Sequence, residues 1–490
     1  MTESEHQIWY AALKAKDARF DGRFFVGVSS TGIYCRPVCR AKLPREENCS
    51  FYATAAEAEQ AGFRPCLLCR PELAPGLSIT DARSSLVRRA TRLLEEHCQH
   101  GLNLDALAGK LGCTARHLRR VFALEYRVSP VQYLQTLRLL LAKSLLTDTN
   151  LPISEVAMTS GFGSLRRFNE LFKTRYRMSP TALRKRARAG GEHEDITLNL
   201  GYRPPYRWSE MLDFLALRAI RGVEAVRDGS YLRSVRLVSL AGEERLGWIR
   251  VSNNEQKHAL SLTVSANLLP VLTQVCARVK SLFDLYCEPD SISEVLEHLD
   301  SIRPGAFVRG LRVPGCFDAF EMCVRTVLGQ QITVKAAGTL AARMAESLGT
   351  PLQGTPEGLT HAFPTPEAIL ALGDTITDRL GVLGIISARA KTIRKLAESF
   401  VAGSIDFGPS AQPQTEIAKL LALPGIGPWS AQYIAMRAMG WPDAFLPTDH
   451  GIKKALAGYN PQQIRELSEG WRPWRSYATL ALWNSLAAPR

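Results

Sequence analysis

The spacing of apolar residues passes through four regimes along the chain, and each predicts a different kind of element. Up to about Pro75, short apolar runs broken by turns predict a few strands and a helix, with little core between them. From about 81 to 188, apolar residues recur at helical spacing and are interleaved with arginines. From Thr197 a strand-like alternation takes over, as in Ser234-Val235-Arg236-Leu237-Val238 and Leu260-Ser261-Leu262-Thr263-Val264. Helical runs near 209–219 and 269–283 accompany it, so a curved antiparallel sheet backed by helices is expected. From about Arg309 the pattern is helical. The predicted fold class is multidomain, mainly α with α+β parts. It comprises a small metal-stabilised α+β domain (1–77), an all-α domain (78–190), an antiparallel-sheet α+β domain (195–308) and a second all-α domain (309–490). The charged, Gly-containing run at 187–195 is the clearest boundary.

Most chemistry is concentrated at 420–456. An apolar helical run ends in Leu423-Pro424-Gly425-Ile426-Gly427-Pro428, a second helix starts near Trp429, and Leu446-Pro447-Thr448-Asp449 sets a carboxylate before a third helical run. Gly425 and Gly427 allow close backbone approach, and a helix N-terminus favours phosphate oxygens. Composition points the same way: Lys and Arg outnumber Asp and Glu 61 to 47, a net charge of +14. Such an excess favours a polyanionic partner, nucleic acid before membrane. The N-terminus is polar and acidic, so no signal peptide is expected, and no apolar run approaches the roughly 18 residues of a membrane span. A cytoplasmic, nucleoid-associated bacterial protein without membrane contacts is expected.

Eleven cysteines include two close pairs, Cys35-x3-Cys39 and Cys66-x2-Cys69, separated by 26 residues. Four thiolates so spaced can close a tetrahedral zinc site, and metal would supply folding energy that so small a core lacks. Pro37 and Pro65 stiffen the turns that present them. Cys49, between the pairs, reads as a small buried apolar residue. The run Phe24-Phe25-Val26-Gly27-Val28 through Ile33-Tyr34-Cys35-Arg36-Pro37-Val38-Cys39-Arg40, with Ser50-Phe51-Tyr52 and Gly62-Phe63-Arg64-Pro65-Cys66, resembles the N-terminal domain of the Ada family of methylation-response proteins. The resemblance implies that Cys35 is both a zinc ligand and the stoichiometric acceptor of a methyl group from a DNA methylphosphotriester. Methylation would remove negative charge and strengthen DNA binding. Arg36 and Arg40 are expected to steer the phosphate backbone.

The arginine-rich stretch contains two similar units. Leu104 to Thr114 is followed by Ala115-Arg116-His117-Leu118-Arg119-Arg120-Val121-Phe122, and Ile153 to Ser164 by Leu165-Arg166-Arg167-Phe168-Asn169-Glu170-Leu171-Phe172. Each reads as a short helix, a Gly-containing turn capped by Thr114 or Ser164, and a second helix with a basic face. This is a tandem helix-turn-helix, whose second helices enter major grooves. Arg116, Arg119, Arg166, Arg167 and Asn169 are the expected groove contacts; His117 is given no switch role. With Ser129-Pro130 and Ser179-Pro180 after the units, the stretch resembles AraC-type DNA-binding domains. Promoter DNA and RNA polymerase are the implied partners. The Pro-Cys-His-Arg motif of an Ada-type guanine methyltransferase does not occur, so that activity is expected to be absent.

From Thr197 to the C-terminus, Pro204-Pro205-Tyr206-x-Trp208, Phe283-Asp284-Leu285, Val313-Pro314-Gly315-Cys316 and the 423–429 hairpin resemble the AlkA family of alkylpurine DNA glycosylases. The resemblance makes Asp449 the catalytic carboxylate, Trp429, Tyr433 and Trp483 the aromatic base pocket, and Gln331 the side chain that wedges into the duplex, where the family pattern has an apolar residue. A carboxylate stabilises the oxocarbenium-like sugar as a base departs, and electron-rich rings favour a cationic alkylated purine. Trp429 stands where strand-cutting relatives carry a Schiff-base lysine, so base excision without lyase activity is expected. No C-terminal four-cysteine cluster occurs, hence no iron–sulfur centre. The carbonyls of Leu421, Leu423 and Ile426 match family donors to a monovalent cation. The implied function is a monomeric fusion acting on double-stranded DNA that carries alkylated bases or methylphosphotriesters: a methyl-sensing transcription activator joined to a DNA-3-methyladenine glycosylase. The alternative is a regulator whose C-terminal half only binds DNA.

Overall fold

The computed structural model describes residues 3–75, 85–101, 103–187, 196–239 and 241–486. The boundary expected at 77–78 lies outside them, as does all but Ala187 of the linker at 187–195. The first unit holds α1 (Glu3–Ala15), β1 (Phe25–Val28), β2 (Ile33–Cys35), β3 (Cys49–Tyr52), α2 (Ala55–Gln60) and β4 (Arg64–Pro65). Its sheet runs β3-β1-β2-β4, antiparallel except for the β2–β4 pair. Its core is thin: Trp9 of α1 stacks on Phe24 at 5.1 Å, and Phe51 meets that ring edge-on.

The helical unit follows as α3 (Ser85–Glu96), α4 (Leu104–Lys110), α5 (Ala115–Tyr126), α6 (Pro130–Asp148), α7 (Ile153–Thr159), α8 (Leu165–Tyr176) and α9 (Pro180–Ala187). The two units predicted from the repeat are α4–α5 and α7–α8. Thr114 and Ser164 accept from the backbone N–H groups of His117 and Arg167, the N-cap bonds their positions implied. The turns need left-handed backbone at Gly112 and Gly161, and a Cβ on Gly161 would come within 2.6 Å of the Cys98 carbonyl oxygen. Between the units lies α6, begun by a Ser129/Gln132 capping box. It buries even Lys143, whose ammonium is paired with Glu72 of the first unit at 2.5 Å.

β5 (Ile196–Gly201), α10 (Trp208–Arg218), β6 (Glu224–Arg227), β7 (Ser230–Val238), β8 (Glu244–Asn254), β9 (Ala259–Val264) and α11 (Leu272–Leu282) form the sheet unit. The five strands run β5-β9-β8-β7-β6, all antiparallel. Period-two burial holds along β5 but fails in the middle of β7, where Tyr231 to Val235 are all buried. The last unit covers that second face, and Arg233 pays its desolvation by pairing with Glu321 at 2.7 Å.

After α12 (Pro289–Leu296) and α13 (Leu299–Ile302), the last unit holds α14 (Ala319–Leu328), α15 (Val334–Leu348), α16 (Pro366–Leu370), α17 (Ile376–Gly381), α18 (Ser387–Val401), α19 (Pro413–Leu421), α20 (Pro428–Ala438), α21 (His450–Ala455), α22 (Pro461–Glu469) and α23 (Arg475–Asn484). One contiguous apolar core joins them, with α14, α18 and α20 central. The N-terminal and C-terminal halves meet where α3 packs on α11. There the Gln99 amide donates to the Thr159 and Leu269 carbonyls and accepts from the N–H and hydroxyl of Thr273. Among the described residues no helix is long and apolar enough to cross a membrane.

Candidate metal centre, DNA-binding helices and active site

β2 delivers Cys35 at its last residue, and the following turn closes with the Cys39 N–H on the Arg36 carbonyl. The Cys66 N–H bonds to the Tyr34 carbonyl, which brings the second pair back to the first. As a result the Sγ atoms of Cys35, Cys39, Cys66 and Cys69 all lie within 4.8 Å of one another. A tetrahedral zinc with bonds of about 2.3 Å needs sulfurs a little under 4 Å apart, so the donor set fits. The Arg36 backbone N–H points at Cys69 Sγ, 3.4 Å away, which favours a thiolate there. Cys49 is buried outside this cluster, as expected, with its thiol on the Arg45 carbonyl.

The two arginines beside the centre part company. Arg40 is exposed. Arg36 is buried, with its guanidinium bonded to both carboxylate oxygens of Asp21 and to the Cys69 carbonyl. The expectation that Arg36 steers DNA is therefore corrected: its donors are consumed in bracing the cysteine loops. A second braced turn follows Cys69, where Arg70 bonds Glu72 and Asp148 of α6. On α5 and α8, Leu118, Phe122, Phe168 and Phe172 face inward, while Leu124 and Leu165 are exposed. Arg116, Arg119, Arg166, Arg167 and Asn169 are all exposed.

In the last unit α19 and α20 form a helical hairpin. Gly425 has φ +87°, and a Cβ there would lie 2.1 Å from Thr392 Oγ1, so both the turn and its contact with α18 exclude a side chain. Thr392 donates to the Pro424 carbonyl. Gly427 is the N-cap of α20, with Pro428 in its first turn. The Leu423 carbonyl accepts the Ile426 N–H at 3.2 Å.

Asp449 is the N-cap of α21, with Oδ1 accepting the Ile452 N–H at 3.0 Å. The same oxygen accepts the Trp483 indole N–H at 2.8 Å, and Oδ2 accepts that of Trp429 at 3.0 Å. Cap and carboxylate site are thus one residue. Trp429 stacks on Tyr433 with centroids 5.0 Å apart and planes 11° from parallel, while Tyr433 and Trp483 stand 6.4 Å apart at 48°. The first gap is closed. The second pair forms a tilted aromatic contact, within the roughly 4.5–7 Å range of ring pairs that touch. Gly451 leaves room for Trp483 beside the carboxylate, since a Cβ there would strike its ring at 2.7 Å.

Two contributors were not singled out in the sequence, Gln330 and Arg437. Gln330, the neighbour of Gln331, donates to the Gly425 carbonyl at 2.9 Å and lies 3.1 Å from the Ser430 hydroxyl, tying the 329–333 turn to the hairpin. Gln331 itself is exposed, with φ +55°. Arg437 is buried and donates to the Tyr433 hydroxyl and to the carbonyls of Pro314 and Gly315. Burial pushes the Tyr433 hydroxyl up, but the guanidiniums of Arg437, Arg218 and Arg325 outweigh it and hold it below the usual tyrosine value. Arg437 alone was findable, because it follows Tyr433 by four residues on one helix face.

Comparison with known proteins agrees with this layout. Residues 8–72 match the metal binding domain of Ada, 107–186 a helix-turn-helix domain, 197–318 the AlkA N-terminal domain, and 324–469 the HhH-GPD superfamily of base excision DNA repair proteins. The chain is 37% identical over 490 residues to a probable bifunctional transcriptional activator/DNA repair enzyme AlkA of Mycobacterium tuberculosis, covering 98% of this chain and 96% of the relative. It is 39% identical to DNA-3-methyladenine glycosylase 2 of Escherichia coli over 58% of this chain and 95% of that one. It is also 40% identical to the bifunctional transcriptional activator/DNA repair enzyme Ada of Escherichia coli, over 28% of this chain and 36% of that one. With a zinc-compatible four-cysteine unit, paired helix-turn-helix units and a helical-hairpin repair unit in one DNA-binding chain, this protein belongs to the family of bifunctional transcriptional activator/DNA repair enzymes of the AlkA type.

Proposed function

We propose that the chain senses methylated DNA backbone with its first unit and excises alkylated purines with its last. The observation that carries the excision half is the Asp449 carboxylate, held by the indole N–H groups of the two tryptophans that flank Tyr433. With a purine held by Tyr433 and Trp483, the C1′–N bond breaks and its electron pair leaves with the base. Asp449 stabilises the cationic sugar and orients the water that attacks C1′. Alkylation at N3 or N7 makes the purine both a better leaving group and a better partner for the rings, so 3-methyladenine is the expected substrate. Trp429 offers no amine for a Schiff base, so the strand stays uncut. Base flipping leaves a gap for the exposed Gln331 to enter. The hairpin carbonyls of Leu421, Leu423 and Ile426 are proposed donors to a monovalent cation beside the phosphate.

For the sensing half, Cys35 thiolate sulfur attacks the methyl carbon of a methylphosphotriester. An S–C bond forms, the C–O bond breaks, and its electrons return to the phosphate as a diester. Zinc, when bound by Cys35, Cys39, Cys66 and Cys69, keeps the thiols deprotonated at neutral pH. Arg40 and the basic faces of α5 and α8 are the proposed DNA contacts, with promoter DNA and RNA polymerase as partners of a monomer. The four parts are proposed to divide at 77–78, 190–195 and 308–309.

Base release from methylated duplex tests the first half. Asp449→Asn keeps a cap oxygen, since Asn and Asp cap helices equally well. It should fold normally yet lose about 100-fold or more in excision rate; retained activity refutes the assignment. Mass spectrometry after exposure to methylphosphotriester DNA should find one added methyl, on Cys35.

A further inference from the structure

Glu288 stands at the N-cap of α12, where a carboxylate ordinarily turns to the helix amides, but its side chain makes no cap bond. It turns to two arginines instead. Arg203 Nε lies 3.3 Å from Glu288 Oε2, and Arg23 Nη2 lies 2.9 Å from the same oxygen. Glu288 and Arg203 are each 1% exposed, whereas the Arg23 side chain is a third exposed. Arg203 follows β5 of the sheet unit, while Arg23 comes from the first unit, just before β1. A buried carboxylate stripped of one cationic partner is left charged in a dry site. The first unit is seated closely enough to fix the pairing. A Cβ on Gly201 would lie 1.8 Å from the Leu73 carbonyl oxygen, and one on Gly22 2.2 Å from that of Pro75. Asp21, two residues before Arg23, is held by Arg36 beside the cysteines, and the Arg23 N–H bonds the Phe20 carbonyl.

From Glu288 the contacts run on to the base pocket. The Arg203 carbonyl accepts from Arg312, whose guanidinium also reaches the Pro205 carbonyl at 2.9 Å. Arg312 opens the segment in which the Val313 N–H bonds Asp284 and the Pro314 and Gly315 carbonyls accept from Arg437. Arg437 then donates to the Tyr433 hydroxyl at 2.7 Å. Glu288, Arg203, Arg312 and Arg437 are all buried, so a displacement at one is passed on by packing and not absorbed by solvent.

We propose that Arg23 of the first unit is a positioning residue for base excision. By neutralising Glu288 it fixes Arg203 and Arg312, and through the 312–315 segment and Arg437 it sets the place of Tyr433. The first unit is then a working part of the base pocket, although none of its atoms touches the reacting bond. This rests on the reading that the last unit excises bases.

The test compares full-length wild type with Arg23→Met, Arg23→Lys, Glu288→Gln and the Arg23→Met/Glu288→Gln double variant. Arg45→Met, at a side chain of the same unit that is 84% exposed, is the control. The readouts are the single-turnover rate of 3-methyladenine release at saturating enzyme, affinity for an undamaged duplex, and amide hydrogen exchange in α20 and α5. Arg23→Met should release base about tenfold more slowly and bind the undamaged duplex as wild type does. Its exchange should quicken in α20 and stay unchanged in α5. Arg23→Lys should recover most of the rate, since it returns the charge, and Arg45→Met should match wild type throughout. Glu288→Gln removes the charge that Arg23 answers, so the double variant should be no slower than the slower single variant. Additive losses, an equal loss in Arg45→Met, or a wild-type rate and wild-type α20 exchange in Arg23→Met would overturn the proposal. So would equal quickening in α5 and α20, the mark of a general loss of stability. Were wild type itself to release no base, the excision reading would fail instead, and α20 exchange would still decide the coupling.

Discussion

At the scale of single residues, several positions serve two ends with one set of atoms. Asp449 caps α21 and receives both indoles, so a residue that helix statistics explain as a cap also carries the site's charge. Gly425 is needed twice over, for its φ and for the 2.1 Å approach of Thr392. Gly425→Ala should therefore destabilise the hairpin by about 2 kcal/mol or more. Adding Thr392→Ala should recover the steric part and leave the φ cost, which thermal melts of the single and double variants can separate. Glu59 of α2 is buried between the Tyr34 and Thr136 hydroxyls, and burial pushes its carboxyl from the ordinary 4.5 up to about 7. The native state then holds a proton that the unfolded chain has released. Stability from this group is present below about pH 4.5 and is lost as pH rises through about 7, in total on the order of 3 kcal/mol. Glu59→Gln should flatten the melting temperature across that window; an unchanged slope would place the proton elsewhere.

Among elements, α20 does the most positioning. Trp429, Tyr433 and Arg437 recur every four residues, so one face presents a ring pair and then a guanidinium that anchors it to the 313–315 segment. Removing Arg437 strips a donor from two buried carbonyls and from the Tyr433 hydroxyl. Arg437→Met should cost about 2–4 kcal/mol in urea denaturation and slow base release, because Tyr433 loses its support. The matched α4–α5 and α7–α8 pairs teach a different lesson. Their caps, turns and apolar positions follow from local sequence, and the structure repeats the pattern in both. Arg36 lies in a segment just as legible, yet its side chain turned inward, because the buried Asp21 carboxylate attracts it more strongly than solvent does.

At the scale of the whole molecule, the two halves share a polar seam. Gln99 uses both ends of its amide across it, and Lys280 and Tyr286 converge on Glu95. Gln99→Ala leaves several backbone groups without their partner, at about 1–3 kcal/mol each where burial is complete. Scanning calorimetry should show a lower first transition that separates from the second, whereas a single unshifted peak would mean the seam contributes little. The first unit is tied to α6 through Arg70–Asp148 and Lys143–Glu72. Chelating zinc should consequently loosen the helix-turn-helix unit as well as the cysteine loops, seen as faster amide exchange in α6.

Order of units, cysteine spacing, paired helix-turn-helix signatures and the hairpin motif were all legible in the chain, because each depends on local periodicity or on residue types a few positions apart. Asp449, Trp429, Tyr433 and Trp483 were grouped only through the resemblance of the chain to the AlkA family. Only the tertiary structure decided which oxygen of Asp449 meets which indole, that Gln330 and Arg437 brace the site, that Arg36 is a strut, and that β7 is buried on both faces. Those outcomes depend on packing between segments 15 to more than 100 residues apart. There the contest between burial and pairing is settled by which partner happens to face the group, and no local pattern records it.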